Sequence, residues 1–397
     1  MTRANAIPQH LLDSDAAAGF EITEDFERFD QMNDMFTRAF WDDSVRSPDT
    51  DAFFNSYRME AAPRRGEGFS QRDFALRNAA WAVSDIISNR AAAEGVREGF
   101  QGAIRNDTPA APERVTLGSE AEEAREIKRL AAFFGADLCG ITHLDERWHY
   151  SRVPDTRDMS ARPNELPEGL THVIVMGHEM DAGLVDTYPS ALAGAATGRE
   201  YSHETAIVIQ LAAYIRNLGF QAVASMNDTA LAIPYAIKAG LGEYGRNQMV
   251  LTPEFGPRVR FSKIFTDMPL AVDAPRQLGL ASYCTICTKC AEACPPRALP
   301  NGPPAVGSDS PSTIRGVRKW SANCEKCFGY WAKLRSDCAI CMRVCPFNRG
   351  QGTWADRIWY YLATTSRWRA LALWVENRRG LRKRLRPRDW WAGNQGR

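Results

Sequence analysis

Apolar residues recur with the period of a helix in two segments of the central part of the chain. The first begins at Ser119, where Ser119 and Glu122 form a capping box that satisfies exposed amides of the first turn. It ends before Gly135. The second runs from Tyr201 to Leu218 and is followed by a glycine, which is typical of a helix end. Both segments are predicted helices.

Short, nearly continuous apolar runs lie between these helices and after the second of them, and they predict buried strands. The predicted strands cover 136–144, 171–177, 220–225, 248–251 and 259–266. A further helix is predicted over 229–238, and the proline-rich, polar stretch 147–168 is predicted to be a loop. Helices therefore alternate with strands, and we expect a fold of the α+β class.

The two ends of the chain have a different character. We expect residues 1–115 to form an irregular wrap with helices, one of them near 71–89, and a proline-containing linker over 106–112. The predicted domains are then 1–115, 116–275, 276–350 and 351–397. In the last, tryptophans precede a basic run, as listed here: Trp354, Trp359, Trp368, Trp374, then Arg378, Arg379, Arg382, Lys383, Arg384, Arg386 and Arg388. Such a segment either packs back onto the body or meets a membrane surface or an acidic partner.

Charge and composition narrow the class of protein. Of the 397 residues, 44% are hydrophobic and 24% charged, and the formal net charge is +1. A near-neutral chain does not favour a general nucleic-acid binder, so we expect no nucleic-acid partner. No apolar run is long enough to span a bilayer, and the N-terminus lacks a hydrophobic leader and a twin-arginine signal. We therefore expect a cytoplasmic protein.

Nine of the ten cysteines fall between Cys284 and Cys345. They form a C-x2-C-x2-C-x3-C-P motif, which is typical of 4Fe–4S proteins, and a stretched second copy. In two-cluster proteins the cysteine before the proline binds the other cluster. One predicted ligand set is Cys284, Cys287, Cys290 and Cys345, and the other is Cys294, Cys327, Cys338 and Cys341. The spacing leaves Cys324 as a rival to Cys327.

Disulfides and zinc are the alternatives to iron and sulfide. Dense x2 gaps without a secretory leader do not favour disulfides, and zinc does not require two copies of the motif. Nearby, Gly240, Gly242 and Gly245 match G-x-G-x-x-G, but this motif follows a predicted helix rather than a strand, so it is not a dinucleotide fingerprint. We expect a glycine turn that passes close to a bound group.

Several blocks resemble the corrinoid-dependent reductive dehalogenases. They are 227–247, 251–260, 265–270, 326–331 with the cysteines up to Phe347, and 33–41. The resemblance implies a nitroreductase-like core that binds cobalamin base-off with no protein ligand on cobalt. A bacterial ferredoxin-like domain with two 4Fe–4S clusters would supply the electrons that reduce Co(II) to Co(I). The implied cofactor-binding residues are Gly240, Gly242, Gly245, Arg246 and Asn247.

The resemblance also implies a reaction and its proton donor. An organohalide, with aromatic halides preferred, would lose halide and gain hydrogen, with Tyr201 as the acid, Arg260 as its cation and Asn227 as a polar contact. A nearby cation lowers the pKa of a phenol, ordinarily near 10. From aromatic character alone, Trp148, Tyr235 and Tyr244 are candidate pocket residues. The implied electron donor is a ferredoxin, a flavodoxin or a reductase.

Two other functions fit parts of the sequence. Epoxyqueuosine reductases share the cobalamin and two-cluster plan but act on tRNA, and the near-neutral charge does not favour that reading. A non-catalytic electron carrier would hold iron and sulfide without a corrinoid. The oligomeric state stays open, with a dimer among the options.

Overall fold

The structure is a computed structural model that describes residues 7–58, 66–93, 109–155, 158–308, 310–365 and 367–393. The N-terminal helices are α1 (Gln9–Ala18), α2 (Met35–Trp41), α3 (Pro48–Asn55) and α4 (Gln71–Ala93). The central elements are α5 (Glu120–Phe134), β1 (Leu138–His143), β2 (Arg152–Pro154), β3 (Ala161–Pro163), β4 (His172–Glu179), α6 (Ala182–Asp186), α7 (Gly194–Asn217), β5 (Ala222–Ser225), α8 (Ala232–Lys238), β6 (Glu243–Tyr244), β7 (Val250–Leu251) and β8 (Val259–Thr266).

The cysteine-rich region and the C-terminal segment are helical. They contain α9 (Leu280–Cys284), α10 (Lys289–Glu292), α11 (Cys324–Leu334), α12 (Ile340–Arg343), α13 (Trp354–Thr364), α14 (Arg369–Arg379) and α15 (Pro387–Trp391). Within the described residues, no helix combines the length and the apolar composition that crossing a bilayer requires. The predicted linker over 106–112 lies partly outside the described residues.

A four-stranded antiparallel sheet in the order β1–β4–β8–β5 lies at the centre of the chain. Alternate residues of β4 point to opposite faces: Ile174 and Met176 pack with α7, whereas Val173 and Val175 pack with α8. Both faces are covered, which explains why β4 is an almost unbroken apolar run. The mixture of helices and an antiparallel sheet confirms the α+β class.

The local predictions for the central region are largely correct. Helix α5 begins with the predicted capping box, in which the Ser119 hydroxyl accepts from the Glu122 amide at 3.3 Å. The prediction of a loop over 147–168 is wrong in part, because β2 and β3 pair there as a short antiparallel ribbon. A three-residue strand is too short to show the alternation of apolar and polar residues that predicts a strand from sequence.

Helix α7 is longer than predicted: it begins at Gly194, so Tyr201 lies two turns inside it rather than at its start. The added stretch, 194–200, contains two glycines beside two alanines, so its composition alone did not indicate a helix. Its Gly198 packs directly under Trp81 of α4, where a Cβ atom would lie 2.3 Å from the Trp81 ring. The missing side chain therefore lets α4 approach α7 closely, which places Trp81 beside Tyr201.

The N-terminal segment contacts both later regions. In α1, Asp15 forms ion pairs with Arg147 at 2.6 Å and with Lys238 at 2.7 Å. In α3, Phe53 packs against Phe328 of α11, with ring centroids 5.6 Å apart. The segment thus touches the central core through α1 and the cysteine-rich region through α3.

The C-terminal segment packs back onto the body in some places and exposes aromatic residues in others. The Trp359 side chain is buried and donates to the Ala372 carbonyl at 3.1 Å, whereas Trp354, Trp368 and Trp374 are exposed. Further along, Arg382 forms an ion pair with Asp186. The segment therefore packs partly onto the body, as one alternative predicted, and its exposed tryptophans keep the other alternative, contact with a membrane surface or an acidic partner, open.

Candidate active site

Three side chains from separate elements meet at the end of the sheet. Tyr201 comes from α7, Asn227 from the loop after β5, and Arg260 from β8. The Asn227 side-chain amide donates to the Tyr201 hydroxyl, and the Arg260 guanidinium carbon lies 3.6 Å from the centroid of the Tyr201 ring. The structure therefore brings together the three residues that the sequence resemblance singled out.

A fourth residue, which the sequence did not indicate, encloses the phenol ring. Trp81 stacks on Tyr201 with ring centroids 4.7 Å apart and an interplanar angle of 27°. Two stacked rings hold the phenol in one orientation, and their faces exclude water. Trp81 lies far from the other three residues in the chain, and no local pattern around it distinguishes it from a core tryptophan.

The surroundings of Tyr201 raise and lower its pKa at once. Burial raises the pKa of Tyr201 to about 12, which keeps the phenol protonated at neutral pH. The Arg260 charge and the hydrogen bond from Asn227 act in the opposite direction, because both stabilise the phenolate. The site therefore holds a proton firmly but stabilises the anion that remains once the proton has left.

Buried ionisable groups continue behind this cluster. Glu204, one turn along α7 from Tyr201, is fully buried, and its carboxylate lies 3.8 Å from Arg260 Nε. Burial raises the pKa of Glu204 to about 7, and burial lowers the pKa of Lys263 to about 8. The Lys263 ammonium donates to the Met226 carbonyl. Both groups therefore change charge near neutral pH, within reach of the Arg260 charge.

Several buried polar atoms near this cluster have no hydrogen-bond partner among the described residues. They are His178 Nδ1, Glu200 Oε1, Arg260 Nε and both carboxyl oxygens of Glu204. Arg260 Nε and Glu204 Oε1 face each other at 3.8 Å, and Glu200 Oε1 lies 3.5 Å from Arg199. A buried atom with no partner at all among the described residues, such as His178 Nδ1, costs about 1–3 kcal/mol. A bound group with donors and acceptors on its edge, such as the amide-fringed corrin ring of cobalamin, fits this requirement. These polar atoms are therefore candidate contacts of a corrinoid.

The first predicted cysteine set surrounds a cavity. Cys284, Cys287, Cys290 and Cys345 line it together with Asn247, Tyr283, Pro346 and Phe347. Burial and the neighbouring thiolates raise the pKa of Cys345 well above its usual value. Such crowded thiols become thiolates only when a cation compensates their charge. A cavity with four thiols and an otherwise largely apolar wall fits a 4Fe–4S cluster.

The second predicted set is also grouped. Burial raises the pKa of the Cys341 thiol well above its usual value, and the charges of Cys338, Cys327, Cys290 and Cys294 raise it further. Cys324, the rival to Cys327, instead approaches the Thr313 hydroxyl at 3.6 Å. The geometry therefore favours Cys327 as the fourth member of this set.

Within the described part of the chain, no three His, Cys, Asp or Glu side chains converge as a single metal ion would require.

Arg246 has a different role from the cofactor contact that the resemblance implied. It is buried, and its guanidinium donates to the carbonyls of Cys284, Cys287, Pro300 and Gly302 at 2.7–3.2 Å. These bonds fix the loop that carries the first cysteines. Its neighbour Asn247 lines the cavity of the first cysteine set.

The glycines of the G-x-G-x-x-G motif face the chain itself. A Cβ atom on Gly240 would lie 2.6 Å from the Ala274 carbonyl oxygen, and one on Gly242 would lie 2.3 Å from that of Leu251. A Cβ atom on Gly245 would crowd the Asn247 side chain at 2.8 Å. Close backbone packing explains these glycines, so their predicted contact with a cofactor has no support in the geometry.

The three aromatic residues expected in a substrate pocket are structural instead. Trp148 is buried between Phe20 and Phe26, with ring centroids 5.5 and 5.6 Å away. Tyr235 is fully buried and donates to the Asp145 carbonyl at 2.9 Å, and Tyr244 donates to the Trp320 carbonyl at 3.0 Å. Aromatic character alone did not distinguish core residues from pocket residues.

Comparisons with known proteins agree with the resemblance. Residues 160–270 match the family model described as a reductive dehalogenase subunit. The chain is 34% identical over 279 residues to a tetrachloroethene reductive dehalogenase of Desulfitobacterium hafniense, covering 59% of this chain and 50% of that protein. It is 31% identical over 292 residues to the enzyme of the same name from Sulfurospirillum multivorans, covering 67% and 58%. The chain spans little more than half the length of these relatives.

Epoxyqueuosine reductases match less closely. The protein from Leadbetterella byssophila is 25% identical over 263 residues, covering 57% of this chain and 80% of that protein.

The fold is shared with a solved structure. The catabolic reductive dehalogenase NpRdhA superposes with a TM-score of 0.71 over 92% of this chain and 48% of its own, at 22% identity. NpRdhA has also been solved in complex with 3-bromo-4-hydroxybenzoic acid, and a reductive dehalogenase structure with the same superposition statistics is linked to B12-dependent dehalogenation. The chain is therefore a relative of the reductive dehalogenases and shares the fold of a solved member of that family.

Proposed function

We propose that this chain is a reductive dehalogenase that replaces a halogen of an organohalide by hydrogen. The overall change is R–X + 2e⁻ + H⁺ → R–H + X⁻. The single observation that carries the proposal is the meeting of Tyr201, Asn227 and Arg260, a buried acid held beside a cation and an amide donor. A carbon that loses halide after reduction becomes basic, and this site offers it a proton.

The proposed role of each residue follows from its contacts. Tyr201 keeps its proton until the carbon becomes basic, because burial raises its pKa to about 12. When the proton leaves, Arg260 over the ring and the amide of Asn227 at the oxygen stabilise the phenolate. Trp81 prevents the ring from turning away. General acid catalysis of this kind accelerates a reaction by about 10²–10⁴-fold.

The proposed cofactors are base-off cobalamin, with no protein ligand on cobalt, and two 4Fe–4S clusters in a ferredoxin-like domain. When bound, cobalamin would supply the low-valent metal that delivers electrons to the carbon–halogen bond. Among the side chains of this chain, His178, Glu200 and Glu204 offer buried polar atoms without hydrogen-bond partners to such a group. The two cysteine sets would hold the clusters, with Cys327 rather than Cys324 in the second. The core around the sheet would be the nitroreductase-like part.

The substrate class is an organohalide, with aromatic and unsaturated halides preferred. Relatives of this chain are named for tetrachloroethene, and NpRdhA forms a complex with a brominated hydroxybenzoate. A ferredoxin, a flavodoxin or a reductase would supply the electrons.

Halide release under anaerobic conditions tests the proposal. The protein, reconstituted with cobalamin, iron and sulfide, is given a chemical reductant and offered halogenated phenols, alkenes and alkanes in turn. We expect halide and the hydrogen-substituted product from at least one class, and none from protein reconstituted without cobalamin. Protein that binds iron but never takes up a corrinoid would contradict the proposal.

The tRNA-modifying alternative has its own test. An epoxyqueuosine reductase must bind a tRNA, so it should shift tRNA in a gel with a strong dependence on salt. The net charge of +1 and the lower identity to such proteins favour dehalogenation. We expect no tight complex with tRNA.

A further inference from the structure

The C-terminal helices α13 and α14 present a row of large apolar side chains to solvent. The row, called here the aromatic face, comprises Trp354 (76% exposed), Ile358 (51%), Tyr361 (62%), Trp368 (46%), Leu371 (42%) and Trp374 (54%). On α13 they follow the i, i+4, i+7 spacing of a single helix face. Three large apolar side chains on one face of α13, with three more exposed at the neighbouring α14, are typical of an interaction surface.

The aromatic face lies on the outside of the wall of the first cysteine cavity. On the inner side of α13, the Trp359 ring packs against Phe347 and Tyr283, with centroids 5.5 and 5.6 Å apart. Phe347 and Tyr283 line the cavity with Cys284 and Cys345. A protein seated on the aromatic face would thus be separated from a cluster in this cavity by α13 and the aromatic side chains packed on its inner side.

The charges around the aromatic face are positive. Arg357, Arg367 and Arg378 are exposed, and the Arg378 guanidinium carbon lies 3.6 Å from the centroid of the Trp374 ring. The carboxylates of the two helices are already paired. Glu376 bonds bidentately to Arg349, with the nearer Nη2 atom 2.5 Å from Oε1, and Asp356 lies 3.8 Å from Arg379. Among the described residues no carboxylate forms an ion pair with these three arginines.

We propose that the aromatic face is the docking site of an acidic electron-donor protein that reduces the cluster held by Cys284, Cys287, Cys290 and Cys345. This inference rests on the proposed function, because it assumes that these cysteines hold a cluster. Each encounter oxidises the donor by one electron and reduces the cluster by one, so two encounters supply the two electrons of one turnover. Tryptophan, tyrosine and arginine are the residues that dominate protein interfaces.

The position of the face favours a donor protein over a membrane surface. Aromatic and basic residues suit both partners. Only an electron donor, however, needs to sit over a redox centre, and the face backs directly onto the wall of the cysteine cavity. An acidic donor also gains from the positive rim, since complementary charge raises association rates by 10–10³-fold.

Stopped-flow oxidation of a reduced acidic ferredoxin by the reconstituted protein tests the inference. The test variants are Arg367→Glu with Arg378→Glu, and separately Trp354→Ala, whose side chain is too exposed to support the fold. We expect the second-order rate of ferredoxin oxidation to fall about tenfold or more in the double variant at low salt, with a weaker salt dependence. The matched control, Arg125→Glu with Arg129→Glu on the exposed side of α5, should leave the rate unchanged.

Further measurements separate the possible failures. Halide release driven by titanium(III) citrate, which needs no docking, should be unchanged in the double variant. Ferredoxin oxidation at an unchanged rate in the double variant would overturn the docking site. The proposal would also be wrong if the variant lost binding to anionic vesicles, or lost a dimer, while it still oxidised ferredoxin normally, since the face would then bind a membrane or a second copy of the chain. Normal cluster reduction without halide release from any reductant would contradict the proposed function and leave the docking site standing.

Discussion

The proposed proton-donor site around Tyr201 and the cysteine-rich region are built in opposite ways. At the first, charged groups are buried together: Arg260 lies over Tyr201 and beside Glu204. At the second, thiols line a mostly apolar cavity, and the buried cation, Arg246, is turned onto backbone carbonyls instead of the sulfurs. The proposed proton transfer depends on the charges of the ionisable groups around Tyr201, which change with pH. Holding a cluster depends instead on the fixed spacing of the cysteine thiols. The two regions should therefore respond differently to mutation and to pH.

The largest expected effect is the loss of one cysteine from the first set. Cys345→Ala should lower the iron content by about half and abolish turnover, because one ligand set of a two-cluster protein is broken. Iron and sulfide analysis of anaerobically reconstituted protein measures the loss. Full iron content in this variant would show that the ligand sets are divided differently.

Cys324→Ala is the matched control for this loss. Cys324 is directed at Thr313 rather than at the other cysteines of the second set. We therefore expect full iron content and turnover close to that of the wild type. Loss of iron here, with retention in Cys327→Ala, would exchange the roles of these two cysteines.

Arg260→Gln should reduce turnover about tenfold or more while leaving iron and corrinoid content unchanged. The variant removes the positive charge that stabilises the Tyr201 phenolate, so the pKa of the phenol rises further. Arg260→Lys keeps the charge and should recover part of the rate. Equal rates for the two variants would show that the charge of residue 260 does not act on the phenol.

Glu204→Gln should flatten the dependence of stability on pH. Because the pKa of Glu204 is about 7 in the fold and 4.5 ordinarily, folding favours its protonated form. The stabilisation from this group is complete below pH 4.5 and is lost as the pH rises through 7, by up to about 3 kcal/mol. Urea unfolding across this pH range measures the effect, with the exposed Glu254→Gln as control.

The smallest predicted effect is on packing. Gly198→Ala places a Cβ atom 2.3 Å from the Trp81 ring, and overpacking of this kind costs about 1–3 kcal/mol. The variant should melt at a lower temperature and turn over more slowly, because Trp81 can no longer stack on Tyr201 without a shift. Gly352→Ala, whose Cβ atom would meet nothing within 4 Å, is the control. Identical melting of the two variants would contradict this packing argument.

The comparison also explains what could be predicted from the sequence. The proposed cluster ligands from Cys284 to Cys294 are close along the chain, so their spacing alone suggests them. The ends of α5 were predicted for the same reason, since capping depends on neighbours such as Ser119 and Glu122. Features determined by local geometry were thus the ones predicted best.

Features that depend on distant contacts were not predicted. No sequence pattern near Trp81 or Glu204 indicates that they belong to the site, because they are brought to Tyr201 only when α4, α7 and β8 pack together. Arg246 was expected at a cofactor, since its position in a glycine-rich block says nothing about the carbonyls it reaches. Even Tyr201 was singled out by resemblance rather than by its own sequence context.

Turnover by Tyr201→Phe tests the central claim most directly. Phenylalanine keeps the ring under Arg260 and beside Trp81 and removes only the hydroxyl that carries the proton. In protein with matched iron and corrinoid content, we predict that halide release falls by about 10²-fold or more. Halide release at the wild-type rate in such protein would contradict the claim that this phenol protonates the product.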